Sequence, residues 1–126
     1  EKSGHSEKAV LQELCNDEDM MICQGAAPEA LAQHNAMFHS AILSTARNQF
    51  LSESLVRHSQ MLVLLGVTAY SVPSRIISIQ AEHHAVNAAI QSGDAEGCER
   101  AMKHHLHEAL KARLKLASLS TNSEMD

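Results

Sequence analysis

The sequence predicts an all-α fold, an antiparallel bundle of about five or six helices, and three observations carry that expectation. Aromatic residues are only 2% of the chain and Trp is absent, while Ala, Leu, Met and Ile supply most of the 44% hydrophobic content. Such a mixture favours helices over a β-sandwich. Apolar residues recur three and four positions apart, and no segment alternates with period two for long enough to demand a strand. Gly and Pro, finally, fall where helices would end and begin.

Taken in order, Ser6 is placed to cap a first helix running through Leu11 and Leu14 to about Cys23, which Gly25 would end. Pro28 suits the first turn of a second helix reaching Ala46, with Asn48 breaking it from a third. The third carries Leu51, Leu55, His58, Met61, Leu62 and Leu65 on one face and would stop near Ser71. Pro73 opens a fourth that closes at Gly93. Asp94 is a suitable N-cap for the fifth, because its carboxylate can accept from the free N–H groups of the first turn. That helix is expected to reach about Leu119, so residues 1–119 form the domain and 120–126 a frayed tail. Short breaks between the helices would fold neighbours back on one another.

Within this frame the histidines stand out. His83 lies in the row Ile76, Ile79, His83, Val86, Ile90, and His105 in the row Cys98, Ala101, Met102, His105, Ala109, Ala112. Residues three, four and seven apart share a helix face, so both imidazoles should point inward, where a helical core normally holds leucine. His39 shares an apolar face with Ile42, Leu43 and Ala46, and Asn35 precedes it by one turn. Any one of these alone reads as a core histidine bonded to a neighbour. Three together would each need a partner to escape the penalty of burying an unpaired polar group, and one shared cation would satisfy them all. Asn35, four residues from His39, can reach the same ion. His58 is on the expected inner face of the third helix and either lines the same cavity or sits at the core edge. His84, His104 and His107 fall on polar faces and His34 could be half-buried without a role.

Other chemistry has little support. There is no glycine-rich phosphate loop, no Cys-x-x-Cys and no His-Glu-x-x-His. Cys98 shares a face with His105, but seven helical residues span about 10 Å, too far for direct proton transfer. Met20, Met21, Met37, Met61 and Met102 read as core filling. A formal charge of −5 argues against a nucleic-acid surface on this segment, and three irregularly spaced cysteines suit a reducing, cytoplasmic setting. No apolar run reaches the length of a membrane span, and the polar start, Glu1 to Lys8, does not resemble a signal peptide. The absence of an initiator Met suggests a piece of a longer protein.

A resemblance sharpens these expectations. Asn35-Ala36-Met37-Phe38-His39-Ser40-Ala41-Ile42, followed by Ala46-Arg47-Asn48, resembles the D-x-x-F-H-x-x-I…A-x-N signature of the FadR C-terminal (FCD) domain, in which Asp or Asn precedes His by four. This is the effector-binding domain of the FadR subfamily of GntR transcriptional regulators. Glu82-His83-His84-Ala85-Val86 through Ala89-Ile90 to Gly93-Asp94 is similar to its E-H-x-x-I-x-x-A-I-x-x-G-D segment, and Met102-Lys103-His104-His105-Leu106 to its closing M-x-x-H-L. The three stretches occur in the family's order.

The resemblance implies metal ligation by Asn35, His39, His83 and His105, a helical bundle enclosing the metal and a small organic acid, and a homodimer. It places DNA binding in a winged-helix domain N-terminal to this segment. The family's first effector-domain helix, which often supplies a pocket arginine, is also expected to be missing. Asn35 departs from the commoner Asp, leaving more positive charge on the ion. We therefore expect not an enzyme but a ligand-sensing domain holding Zn, Ni, Co, Fe or Mn, with open coordination positions for a carboxylate effector. Arg47, Arg57 and Arg75 are the basic candidates to assist, and His58 joins Arg57 and Arg75 as an effector contact; surface solvation is the competing account of each arginine. The spacing His104-x-x-x-Glu108 keeps a hemerythrin-like di-iron bundle as the alternative, although few carboxylates are expected to face inward. A ligand-free structural or dimerisation bundle is the third reading.

Overall fold

Proline and glycine set the helix boundaries much as their backbone chemistry requires. The computed structural model describes residues 2–65, 70 and 72–125. Five α-helices follow in order: α1, Lys2–Cys23; α2, Pro28–Thr45; α3, Glu53–Leu65; α4, Pro73–Gln91; and α5, Ala95–Met125. Pro28 and Pro73 occupy first-turn positions, where a missing N–H is harmless. Gly25 and Gly93 take φ of 71° and 72°, the left-handed conformation that ends a helix without a Cβ clash. Asp94 caps α5 by accepting from the Gly97 N–H at 2.9 Å.

The α2–α3 junction departs from expectation. Asn48 does not break the helix: α2 passes into a π-helical turn, Ala46–Phe50, and the chain turns at Leu51, whose φ is 50°. The Ala46 carbonyl takes the Leu51 N–H and, at 3.1 Å, the Ser52 N–H. Ser52 then caps α3, its hydroxyl accepting from the Leu55 N–H at 3.1 Å and donating to Glu99 at 2.5 Å. Because Leu51 lies outside α3, the buried seam is Leu55, Ser59 and Leu62, and Leu51 is left 79% exposed. Ser6 lies inside α1 rather than at its cap, and α5 runs on past Leu119. The expected end of α3 near Ser71 falls outside the described residues.

The helices close a ring: α1 packs on α2, α2 on α3, α3 on α5, α5 on α4, and α4 back on α1. Within it, Leu11 and Cys15 of α1 meet Phe38 and Ile42 of α2, Leu55 and Leu62 of α3, Val86 and Ile90 of α4, and Cys98, Met102 and Leu106 of α5. A smaller cluster of Leu31, Tyr70 and Ile79 lies apart from it. Of the methionines expected inside, Met102 is fully buried, whereas Met20, Met37 and Met61 are exposed, since the inner rows of their helices are occupied by other side chains. No described helix is long and apolar enough to cross a membrane.

These placements give opposite expectations for two leucines of similar sequence context. Leu55→Ala should lower stability by about 2–5 kcal/mol through cavity formation. Leu51→Gly should raise it by about 0.5–1 kcal/mol, because relief of left-handed strain exceeds the added freedom of the unfolded chain. Urea unfolding of both variants checks the revised face.

Candidate metal centre

Three rows of the ring converge on one point. Phe38 and His39 from α2, His83 from α4 and His105 from α5 are all buried, with His83 fully so. The three imidazoles each offer one ring nitrogen, and these nitrogens lie within 4.8 Å of one another. His39 and His105 stack nearly parallel, and both stand edge-on to His83, whose ring also rests against Phe38.

What fixes two of the rings is a pair of buried carboxylates, while His39 Nδ1 is buried without a partner. Glu18 of α1 accepts from His83 Nδ1 at 2.9 Å, and Glu82 of α4 accepts from His105 Nδ1 at 2.6 Å. Glu82 is held in turn by Arg75, whose Nη1 and Nη2 donate to its two oxygens at 2.6 and 3.0 Å. A carboxylate taking the Nδ1–H selects the tautomer whose Nε2 carries a bare lone pair. Those lone pairs have little to meet. His83 Nε2 is buried without a partner, and His105 Nε2 faces His39 Nε2 at 3.3 Å.

Two nitrogens each about 2.1 Å from a common ion, at angles near 90–110°, lie about 3.0–3.4 Å apart, so the His39–His105 spacing suits a shared cation. The orphaned His83 nitrogen makes the same point from hydrogen bonding, because a buried acceptor without a donor is destabilising by about 1–3 kcal/mol and a cation would supply what it lacks. The donor set therefore fits a divalent transition metal. Burial first, and the neighbouring imidazoles second, hold His39 and His83 well below their ordinary pKa, which keeps both neutral. Burial pushes Glu82 upward, but the hydrogen bonds from His105 and Arg75 outweigh it and hold the carboxylate below its usual range. Glu18 has no such arginine, and burial raises it to about 7 despite the opposing His34.

His34, His84, His104 and His107 have ordinary partners or solvent. His34 is buried and donates from Nε2 to the Leu14 carbonyl at 2.7 Å, while His104 and His107 are exposed. His84, also exposed, pairs with Asp19 at 2.8 Å. Asn35 is half-buried on α2, one turn before His39. Of the residues expected to contact an effector, Arg75 reaches the centre through Glu82. Arg57 is exposed beside Arg47 in a cleft at the π-helical turn, and His58 lines another cleft with Glu96, Glu99 and Lys103. Neither cleft contains a residue of the triad. Burial pushes the Cys98 thiol up to about 12, in keeping with packing rather than nucleophilic chemistry.

Sequence reasoning missed both carboxylates. Glu82 adjoins His83 in the matched stretch, and Glu18 continues the inward row Leu11, Cys15, Glu18 of α1, where a charged residue is out of place. That was the available signal. Asn87, near the exposed His84 on α4, is also buried, because α1 covers that side of α4 and its Gln12 accepts from the Asn87 amide at 3.1 Å.

The FCD domain family matches residues 4–108, which span the first helix to the last histidine of the triad and beyond. The chain belongs to the FCD domain family. FCD domains are parts of transcription regulators, which are not enzymes, and the match begins within α1. No curated protein and no solved structure matches the chain.

Removing one of the missed carboxylates tests the arrangement. Glu82→Ala leaves a buried guanidinium uncompensated and His105 Nδ1 unpaired, and should destabilise this FCD domain by about 3–5 kcal/mol. Glu108→Ala, which breaks an exposed pair with Lys111, should change stability by less than about 0.5 kcal/mol. Thermal unfolding of the two variants makes the comparison.

Proposed function

We propose that this FCD domain is the ligand-sensing part of a FadR/GntR-type regulator, holding a divalent transition metal on His39, His83 and His105 and binding a small organic acid there. The observation that carries the reading is the convergence of three buried imidazoles, with His83 Nε2 left unpartnered and the Nε2 atoms of His39 and His105 facing only each other, while Glu18 and Glu82 fix two of the rings from behind. Asn35, from its place one turn before His39, is the fourth ligand in this reading, through its side-chain oxygen. Zn, Ni, Co, Fe and Mn all suit such a donor set.

A bound divalent cation supplies a Lewis-acidic positive charge that a carboxylate can ligate. The chain's own residues determine how much of that charge remains. None of the proposed ligands is a carboxylate, the Arg75 guanidinium offsets Glu82, and Glu18 is the other nearby carboxylate, so the centre with a divalent cation stays positive. An anion entering this dry interior is therefore attracted. His39, His83 and His105 come from three helices of a closed ring, so an effector that prefers one spacing of α2, α4 and α5 favours that helix arrangement. In the parent regulator, a homodimer in the cytoplasm, that bias would pass to DNA-binding domains N-terminal to this segment.

Two substitutions separate metal binding from general stability. Wild type should gain about 2.7 kcal/mol when metal is present at a hundredfold excess over its Kd. His83→Ala should show no metal-dependent gain, whatever its own stability, and His104→Ala should keep the full gain. Differential scanning fluorimetry with and without Zn²⁺ or Ni²⁺ reads this directly; equal gains in both variants would refute the triad as the metal site.

Asn35 tests how the effector is attracted. Asn35→Asp adds a negative charge beside the cation and should tighten metal binding by about tenfold while weakening a small carboxylic acid by a similar factor. Calorimetry on the metal-loaded proteins decides; unchanged or tighter acid binding would show that metal charge is not what recruits the effector.

A further inference from the structure

The start of α4 and the distal part of α5 enclose a cleft of about 250 Å³, separate from the interior of the bundle. Its lining divides by chemistry. Arg75 and Lys115 are cationic, Ser74 and Ser78 carry hydroxyls, and Val72, Ala112 and Leu116 are apolar. Among the described residues no acidic one lines it, although the chain as a whole carries −5.

Arg75 is nine-tenths buried, and its hydrogen bonds to Glu82 use two of five N–H donors. Its Nε–H is buried without a partner. Lys115, exposed on α5, has no ion pair among the described residues, so its charge faces the cleft uncompensated. The N-terminal end of the 19-residue α4, at Pro73 and Ser74, adds the positive end of a helix dipole to the same spot. Two cations, two hydroxyls and a helix N-terminus line this concave space together with three aliphatic side chains, which is the chemistry of an amphiphilic anion site.

We propose that this α4–α5 cleft binds a small organic anion, its carboxylate or phosphate held by Arg75 and Lys115 and its aliphatic part against Val72, Ala112 and Leu116, and that it is coupled to the histidine centre through Glu82. The site is distinct from the metal-bound effector and needs no metal. Coupling follows from the shared carboxylate: Glu82 Oε1 accepts from both Arg75 Nη2 and His105 Nδ1. An anion that partly neutralises Arg75 leaves more of the Glu82 charge to His105, which makes that imidazole a better ligand. By linkage, the anion and a metal at the triad strengthen one another by equal factors.

The test is titration of metal-free protein with butyrate and with inorganic phosphate, followed by heteronuclear NMR on Ser74, Ala112 and Leu116, with chloride at matched ionic strength as the control. Saturable shifts with butyrate, phosphate or both support the cleft, and the stronger of the two identifies the headgroup; shifts no larger than chloride's overturn it. Lys115→Ala should weaken binding by about tenfold or more, whereas Lys111→Ala on the same helix should leave it unchanged. Equal weakening by both would mean general charge attraction and would sink the site. With the anion saturating, Zn²⁺ should bind several-fold more tightly to wild type but not to Lys115→Ala; unchanged Zn²⁺ affinity in wild type would overturn the link through Glu82. Because the first measurements are made without metal, their failure is separate from failure of the metal centre itself.

Discussion

Burial of three imidazoles in one dry interior is the constraint on which the rest of this structure depends. An imidazole has two polar nitrogens, and each must find a partner once water is excluded. Two carboxylates answer for the outer nitrogens of His83 and His105, which brings Glu18 and Glu82 inside as well. Burying Glu82 in turn requires Arg75. A chain of obligations thus runs from the centre outward to Arg75 at the start of α4.

The ring topology is what makes that chain possible. Glu18 lies on α1, His39 on α2, Glu82 and His83 on α4, and His105 on α5, so four of the five helices must be in register for the centre to form. α5 is inserted between α3 and α4 in the ring, which sets His105 beside Glu82. Consecutive positions on α4 do different work: the Glu82 side chain meets α5, and His83 turns toward α1 and α2. A one-residue shift of α4 would lose both contacts. The apolar cluster of Leu11, Phe38, Ile42, Val86 and Met102 holds these helices at fixed separations, and so keeps the nitrogens close although His83 Nε2 has no partner.

Outside the centre, the same economy of partners separates histidines that resemble one another in sequence. His83 and His84 are neighbours, yet one is fully buried against Glu18 and the other half-exposed against Asp19. His104 and His105 divide in the same way. Adjacent residues on a helix point about 100° apart, so the pairs are split between core and surface by geometry alone. This is why the three inward histidines were legible from spacing, and why the similarity of Asn35, His39, His83 and His105 to the FCD pattern selected the same face.

What the sequence by itself determined is therefore local and periodic: the helical class, the boundaries at Gly25, Pro28, Pro73, Gly93 and Asp94, and the inward direction of His39, His83 and His105. These depend on backbone stereochemistry and on residues less than two turns apart. What tertiary structure decided was every partnership across the ring. Glu18 is 65 residues from His83, and nothing within α1 says which helix will cover it. The α3 seam moved to Leu55, Ser59 and Leu62 because a π-helical turn displaced Leu51 from the helix, a shift that hydrophobic periodicity does not record. Arg75 lies on a face that reads as solvated until α5 packs beside it and Glu82 turns inward to His105. Periodicity reports which way a side chain points; only packing supplies what it meets there.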